Sequence, residues 1–173
     1  MTPRAVLVGL PGAGKTTTGR RLAKIIAVPF ADSDDLVEAR TGRSVREIFA
    51  DDGEAAFRQA EAEAIHDALR GFEGVLALGG GALTTDSTRT EVVSCGVPVV
   101  LLLAPVGTLL ARVGDAHTRP LLADAPEQRL VALAGERQPT YEQVATFSVE
   151  TAKRTPGQVA AQIAARLHER AAQ

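Results

Sequence analysis

The 173-residue sequence has one cysteine, one tyrosine and no tryptophan or asparagine. A single cysteine excludes an internal disulfide and any zinc site built from cysteines. The chain has no run of about 18 apolar residues, so we expect a cytoplasmic protein without a transmembrane helix. The formal net charge is only −2. A charge this small does not indicate a nucleic-acid partner. We also expect a monomer and no membrane partner.

Short apolar runs alternate along the chain with stretches of helical periodicity. Strands are predicted at 5–10, 28–34, 74–81, 98–104 and 146–150. Helices are predicted at 15–27, 34–41, 44–69 with a break near 51–54, between the third and fourth strands, at 105–113, at 126–138 and from 156 onward. This alternation predicts one α/β domain over residues 1–173, with helices on both faces of a parallel sheet.

The segment GLPGAGKTT (9–17) has the pattern of a phosphate-binding loop. Gly9, Gly14, Lys15 and Thr16 fit G-x-x-x-x-G-K-[ST], placed between a predicted strand and a predicted helix. Glycines let the backbone N–H groups converge on an anion at the helix N-terminus. Lys15 is expected to reach the β- and γ-phosphates of a nucleotide, and the Thr16 hydroxyl to bind Mg²⁺.

The later strands do not supply the acidic residue with which many ATPases bind magnesium. One runs into glycines and the other ends in Ala-Pro, which argues against a motor or transporter ATPase. The guanine-reading Asn-Lys-x-Asp pattern of GTPases is excluded because the sequence contains no asparagine.

Two acids follow the second predicted strand. Alternate residues of an extended segment point the same way, so Asp32 and Asp34 are expected to face the crevice where open α/β sheets bind ligands. One could serve Mg²⁺ and the other could accept a proton from an acceptor hydroxyl. The alternative is that they cap the next helix, a role for which Asp35 is the stronger candidate.

Taken together, the motifs resemble those of the shikimate kinase family. They are GLPGAGKTT at 9–17, DSD at 32–34, FRQAE at 57–61, GGG at 79–81, TRPLL at 118–122 and RQPTY at 137–141. The resemblance implies a three-layer α/β/α fold with five parallel strands in the order 2-3-1-4-5 and a mobile lid at about 112–125. It also implies phosphorylation of the 3-hydroxyl of shikimate by ATP, with Mg²⁺, in the pathway to aromatic amino acids.

The same resemblance implies roles for individual residues. Asp34, Lys15 and Arg119 would be catalytic, and Thr16 and Asp32 would serve the metal. The acceptor-binding region would span about 32–61. Shikimate would be bound by two residues of this region and four later ones: Asp34, Arg58, Gly80, Gly81, Arg119 and Arg137. The nucleotide would be bound by Gly12, Ala13, Gly14, Lys15, Thr16, Thr17, Arg112, Arg119, Arg154 and Pro156.

Simpler interpretations remain open for several of these residues. Arg58 could form a surface ion pair with Glu61, three residues further along a helix. Arg137 has Glu136 and Glu142 nearby, and the glycine triplet could be only a turn. For the whole chain, another small-metabolite kinase, such as a gluconate kinase, fits a pocket with two arginines. A nucleotide-hydrolysing switch protein is the alternative from a different class.

Overall fold

The computed structural model describes residues 2–113 and 126–172. The strands are β1 (Ala5–Val8), β2 (Phe30–Asp32), β3 (Val75–Ala77), β4 (Val99–Leu103) and β5 (Phe147–Glu150). The helices are α1 (Lys15–Ile25), α2 (Ser33–Thr41), α3 (Val45–Asp51), α4 (Gly53–Gly71), α5 (Asp86–Ser94), α6 (Val106–Val113), α7 (Pro126–Val144) and α8 (Pro156–Ala171). A short 3-10 helix spans Ala82–Thr84.

Within the described ranges the five strands form one parallel sheet in the order β2-β3-β1-β4-β5. This confirms the predicted fold and strand order. Every residue of β1 and β3 is buried, as expected for central strands of a sheet covered by helices on both faces. None of the helices described is long and apolar enough to cross a membrane.

Close packing of helix α1 on the sheet depends on a glycine. A Cβ at Gly19 would overlap the ring of Phe30 on the neighbouring strand β2. The helix also buries Leu22 and Ala23 in the main core. This approach brings the start of α1 against the end of β2, where the acidic residues lie.

The predicted end of the second strand was wrong. Strand β2 ends at Asp32, and helix α2 begins at Ser33, so Asp34 lies on a helix rather than on extended backbone. Asp32 is the N-cap of that helix, and its carboxylate accepts a hydrogen bond from the Asp34 backbone N–H. The expectation that Asp35 would be the cap is therefore also wrong. Short polar side chains at an N-cap stabilise a helix by satisfying its unpaired N–H groups.

Helix α7 also departs from the prediction, because it continues through Pro139 to Val144. A proline within a helix removes one backbone hydrogen bond. Tertiary packing offsets this loss, since Tyr141 and Val144 beyond the proline are both buried in the main core. The continuation matters for the site because it keeps Tyr141 one helical turn from Arg137.

The other local signals agree with the structure. Ser44 and Glu47 form the predicted capping box at the start of α3, and Gly42 ends α2 with a φ of 67°. Pro156 opens α8 as predicted, behind a second capping box formed by Thr155 and Gln158. A capping box is a local interaction, which is why the sequence alone identified the one at Ser44; the box at Thr155 was not predicted.

Candidate active site

The loop between β1 and α1 has the curled backbone that an anion cradle requires. Gly9, Gly12 and Gly14 have φ of 148°, 83° and 92°, a region that side-chain-bearing residues rarely adopt. At Gly12 the space is also closed, because a Cβ would lie 2.8 Å from the carbonyl oxygen of Leu109. Only glycine therefore fits this turn of the loop.

Lys15 begins helix α1 and folds back over the loop. Its Nζ donates to the carbonyl oxygens of Gly9 at 2.7 Å and Leu10 at 3.2 Å. These bonds hold the ammonium group at the mouth of the loop, where a bound phosphate could attract it. The positive end of the helix dipole lies at the same place.

A cavity of about 430 Å³ opens beside this loop. All the described residues predicted to bind the nucleotide line it: Gly12, Ala13, Gly14, Lys15, Thr16, Thr17, Arg112, Arg154 and Pro156. Thr18, Thr151 and Val159, which were not predicted, complete the lining. Arg112 is oriented by Thr151, whose hydroxyl and carbonyl oxygens each accept a hydrogen bond from the guanidinium at 2.7 Å.

A second cavity, of about 410 Å³, lies on the other side of Lys15. The described residues predicted to bind the acceptor all line it: Asp34, Arg58, Gly80, Gly81 and Arg137. Pro11, Asp32, Glu61 and the rings of Phe49 and Phe57 lie in the same wall. The cavity combines charged groups with apolar surface, a composition suited to a small polar metabolite.

Asp32 connects the phosphate loop to strand β2. Its Oδ2 accepts a hydrogen bond from the Thr16 hydroxyl at 2.8 Å, and its Oδ1 accepts from the Asp34 N–H at 3.2 Å. The two acids do line one cavity, as the sequence predicted. They do so by the turn from strand to helix, not by alternation along an extended strand.

The environment of Asp34 makes its carboxyl group a better proton acceptor than an ordinary aspartate. Burial raises the pKa of Asp34 to about 6, and the negative charges of Asp32 and Glu61 act in the same direction. Lys15 and Arg58 lower it in part. A carboxyl group with a pKa just below neutrality is mostly ionised at pH 7 yet can hold a proton during a reaction.

Arg58 satisfies both interpretations offered by the sequence. It lines the cavity, and it also donates to Glu61 at 2.6 Å and to Glu54 at 3.3 Å. The first pair is not a surface pair, because the Glu61 side chain is only 1% exposed. Burial raises the pKa of Glu61, against the opposing effect of the Arg58 guanidinium.

The three glycines after strand β3 pass close to these charged groups. A Cβ at Gly79 would lie 2.5 Å from Oε1 of Glu61, and one at Gly81 would overlap the guanidinium of Arg58. The buried Ser33 fixes the start of this segment, because its Oγ accepts a 2.8 Å hydrogen bond from the Gly79 N–H. The triplet is therefore a close-packed wall of the cavity as well as a turn.

Arg137 has a different set of partners from those proposed for it. Its Nη1 donates to the carbonyl oxygen of Gly80 at 2.8 Å, and among the described residues it forms no ion pair with Glu136 or Glu142. The Tyr141 hydroxyl donates to the same Gly80 oxygen. Burial raises the pKa of Tyr141 to about 12, although the Arg137 guanidinium opposes this, so the phenol remains a donor at neutral pH.

One predicted residue cannot be placed. Arg119, together with most of the predicted lid at 112–125, lies outside the described residues. Its expected contacts with both substrates stay a prediction from the sequence. Of that segment the structure describes Arg112 and Val113, at the end of helix α6.

The same residues match those of a known protein family. A family model described as shikimate kinase matches residues 11–168. The chain belongs to the shikimate kinase family. The match runs from the phosphate loop to the last helix and includes both cavities, so the family assignment rests on the site as well as on the fold.

Individual family members agree with this assignment. The chain is 46% identical to the shikimate kinase of Mycobacterium avium over 168 residues, which are 96% of this chain and 94% of that protein. Its structure resembles that of shikimate kinase from Acinetobacter baumannii, solved in complex with shikimate. That similarity has a TM-score of 0.91 and 36% identity, and covers 98% of this chain and 94% of the other.

A gluconokinase from Sinorhizobium meliloti shares the fold at a greater distance. Its TM-score is 0.66 and its identity 21%, over 98% of this chain and 94% of that protein. The gluconate kinase alternative is therefore more remote than the shikimate kinases, and the likeness shows only a common fold.

Sequence reasoning missed four residues that shape the site: Ser33, Glu61 as a buried group, Tyr141 and Thr151. Ser33 lies between the two acids of the DSD segment, and Tyr141 lies four residues after Arg137. Their closeness in the sequence to predicted site residues could have identified them as candidates. Their partners could not be identified in this way, because each bonds to a residue distant in the sequence, such as Gly80, 61 positions before Tyr141.

Proposed function

We propose that this protein transfers the γ-phosphoryl group of ATP to the 3-hydroxyl of shikimate, a step on the route to chorismate and the aromatic amino acids. Support comes from its membership of the family, from relatives named shikimate kinases at 46% identity, and from the neighbouring structure solved with shikimate. The substrate is accordingly a small molecule.

One structural observation carries the proposal. The cavity beside the phosphate loop and the cavity beside the acids have two lining residues in common, Lys15 and Thr16. A nucleotide in the first cavity and a polyol in the second would thus meet at the ammonium and hydroxyl groups that serve the terminal phosphate. Phosphoryl transfer requires mainly such positioning together with charge neutralisation.

The residues on the donor side fit a nucleoside triphosphate. The loop amides and the start of α1 would bind the phosphates, with Lys15 at the group that is transferred. Arg112, Arg154 and Pro156 line the same cavity, and the base and ribose would extend toward them. Arg119 would add positive charge at the phosphates, as the sequence predicts.

The residues near Thr16 also fit a bound Mg²⁺. The Thr16 hydroxyl and the Asp32 carboxylate are already 2.8 Å apart, and no group of three or more His, Cys, Asp or Glu side chains among the described residues could bind a metal by itself. Mg²⁺ in kinases typically has few protein ligands, and its other ligands are phosphate oxygens of the nucleotide and water molecules. Bound there, the ion would neutralise phosphate charge.

On the acceptor side, Arg58 and Arg137 would bind the carboxylate of shikimate, because guanidinium groups match a planar carboxylate. Gly80 and Gly81 allow the substrate to approach the backbone closely. Asp34 would accept a hydrogen bond from the 3-hydroxyl and take its proton as the oxygen bonds to phosphorus. The bond between the γ-phosphorus and the bridging oxygen then breaks, and ADP leaves.

The function is tested by measuring ADP release with MgATP in the presence of shikimate, gluconate or several nucleoside monophosphates. We expect turnover that depends on shikimate. Turnover without any acceptor would favour the nucleotide-hydrolysing switch, and turnover with gluconate alone would favour the gluconate kinase alternative.

Two substitutions test the roles proposed for Arg58, which lines the acceptor cavity, and for Lys15, which lines both cavities. Arg58→Ala should raise the KM for shikimate with a smaller effect on kcat, because it removes a ligand of the acceptor. Lys15→Ala should lower kcat by at least about 100-fold, because it removes charge from the transferred group. An unchanged shikimate KM in the first variant would contradict the carboxylate assignment.

Cytoplasmic location and a monomeric state stay predictions from the sequence.

A further inference from the structure

The two arginines of the acceptor cavity differ in how their charge is compensated. Arg58 forms ion pairs with Glu61 and Glu54. Arg137 is also buried, at 7% exposure, but within the described ranges it forms no ion pair. Its hydrogen-bond acceptor is the neutral carbonyl oxygen of Gly80, at 2.8 Å.

The same oxygen accepts a second hydrogen bond, from the Tyr141 hydroxyl. A carbonyl oxygen has two lone pairs and can accept both bonds. Arg137 and Tyr141 lie four residues apart on helix α7, so their side chains are neighbours on one face of it. Tyr141 is only 2% exposed, so its ring is fixed by the core and its hydroxyl position is fixed with it.

This arrangement fixes a cation through a neutral acceptor, while the Glu61 carboxylate attracts the same guanidinium from a distance, and the pKa of Glu61 is lowered in part by it. A carboxylate partner would also fix Arg137, but it would reduce the attraction of the guanidinium for an anionic substrate. A carbonyl that is itself held by a phenol gives position and leaves the positive charge facing the cavity. Arg58, with two carboxylates, contributes geometry and less net charge.

We propose that Tyr141 is a positioning residue for the acceptor site, which holds the Gly80 carbonyl in place and thereby orients the Arg137 guanidinium. This inference rests on the proposed function, in which Arg137 binds the carboxylate of shikimate. Tyr141 itself does not line the acceptor cavity, so it acts through Gly80 and Arg137.

The first test is Tyr141→Phe, which deletes one oxygen and keeps the ring in the core. We expect the KM for shikimate to rise roughly 3- to 10-fold, the range that corresponds to losing one hydrogen bond. The KM for ATP and kcat should change less than about 2-fold, because the nucleotide cavity contains neither Gly80 nor Arg137. A lower melting temperature with an unchanged shikimate KM would overturn the proposal.

A matched control removes a buried hydroxyl elsewhere. Thr88 on helix α5 is 2% exposed, and its Oγ1 has no hydrogen-bond partner among the described atoms. Thr88→Val should leave the KM for shikimate within about 2-fold of the wild type. An equal rise in both variants would show a general effect of core substitution and would also overturn the proposal.

The second test requires no acceptor. Unfolding by urea, followed by far-UV circular dichroism, is measured for Tyr141→Phe, Arg137→Met and the double variant. Because both donors share one oxygen, we expect their effects on the free energy of unfolding to be non-additive. Additive effects would show that Arg137 and Tyr141 are not coupled through the Gly80 carbonyl oxygen. This outcome would overturn the proposal even in a protein that failed to phosphorylate shikimate. If the wild type is active and only the KM effect is missing, the proposed function stands and the positioning role falls.

Discussion

The guanidinium of Arg58 donates to the carboxylate of Glu61 across 2.6 Å, and that carboxylate is 1% exposed. The same guanidinium donates to Glu54 at 3.3 Å, where the carboxylate is 55% exposed. One arginine thus has a buried and an exposed partner on one helix. The difference between them allows the effect of burial to be measured directly.

Relative to the wild type, Glu61→Gln should be more stable at pH 8 than at pH 4, because burial raises the pKa of Glu61 despite the opposing Arg58 and so disfavours its ionised form in the folded protein. Glu54→Gln should cost less than about 1 kcal/mol at either pH, as is usual for exposed pairs. Urea denaturation of both variants at the two pH values provides the comparison. An equal pH dependence in both variants would show that burial does not distinguish the two pairs.

The acid limb of the pH–rate profile should report Asp34. Since its pKa is raised to about 6 and the proposed reaction needs the ionised form, kcat/KM for shikimate should fall as the pH drops below about 6. The measurement is kcat/KM from pH 5 to 8. A rate that stays constant down to pH 5 would exclude Asp34 as the proton acceptor.

Asp34 also affects stability, and there the protonated form is the favourable one, whereas activity needs the ionised form. The ordinary pKa of 3.8 rises to about 6 on folding, so between these values the folded protein holds a proton that the unfolded chain has released. The stabilising contribution is complete below pH 3.8 and is lost as the pH rises through about 6. Asp34→Asn should therefore raise the free energy of unfolding at pH 8 by about 1–2 kcal/mol while abolishing transfer.

The exposed Asp35 provides the control for that experiment. It lies on the same helical turn as Asp34, and it forms an exposed ion pair with Arg20, at 4.0 Å. Asp35→Asn should change stability by less than about 0.5 kcal/mol at either pH. A gain at pH 8 equal to that of Asp34→Asn would mean that net charge, not the buried site, is responsible.

Thr16→Val should raise the Mg²⁺ concentration needed for half-maximal activity by about 10-fold or more, because it removes the hydroxyl bonded to Asp32 and proposed for the metal. Thr88→Val, at a buried position on helix α5 that lines neither cavity, should leave the Mg²⁺ dependence unchanged. Titration of activity with Mg²⁺ at fixed ATP checks both. An unaltered titration for Thr16→Val would remove this hydroxyl from the metal site.

Gly81→Ala should raise the KM for shikimate by about 10-fold or more, because the new Cβ overlaps the Arg58 guanidinium and displaces it. Gly135→Ala on helix α7 has open space around it and should stabilise the protein by about 0.5–1 kcal/mol. Steady-state kinetics and thermal unfolding of both variants provide the test. Wild-type kinetics for Gly81→Ala would show that Arg58 is free to move without loss of binding.

The phosphate loop and the alternation of strands and helices could be inferred from the sequence because their signals are local, whereas the strand order followed from the resemblance to a known family. Gly9, Gly14, Lys15 and Thr16 are contiguous or nearly so, and the backbone geometry that they require follows from residue type. Ser44 and Glu47, three residues apart, likewise determine their own capping box. Interactions within one turn need no knowledge of the rest of the chain.

Only the tertiary structure decided how the acceptor site is held. Asp34 reaches the cavity from a helix, because Asp32 ends the strand and caps α2. Gly79 is fixed by Ser33, 46 positions earlier, and Gly80 by Tyr141, 61 positions later. Such bonds depend on where distant elements of the sheet and helices meet. The sequence thus determined which groups the protein has for phosphoryl transfer, and folding determined which distant residues hold each of them in position.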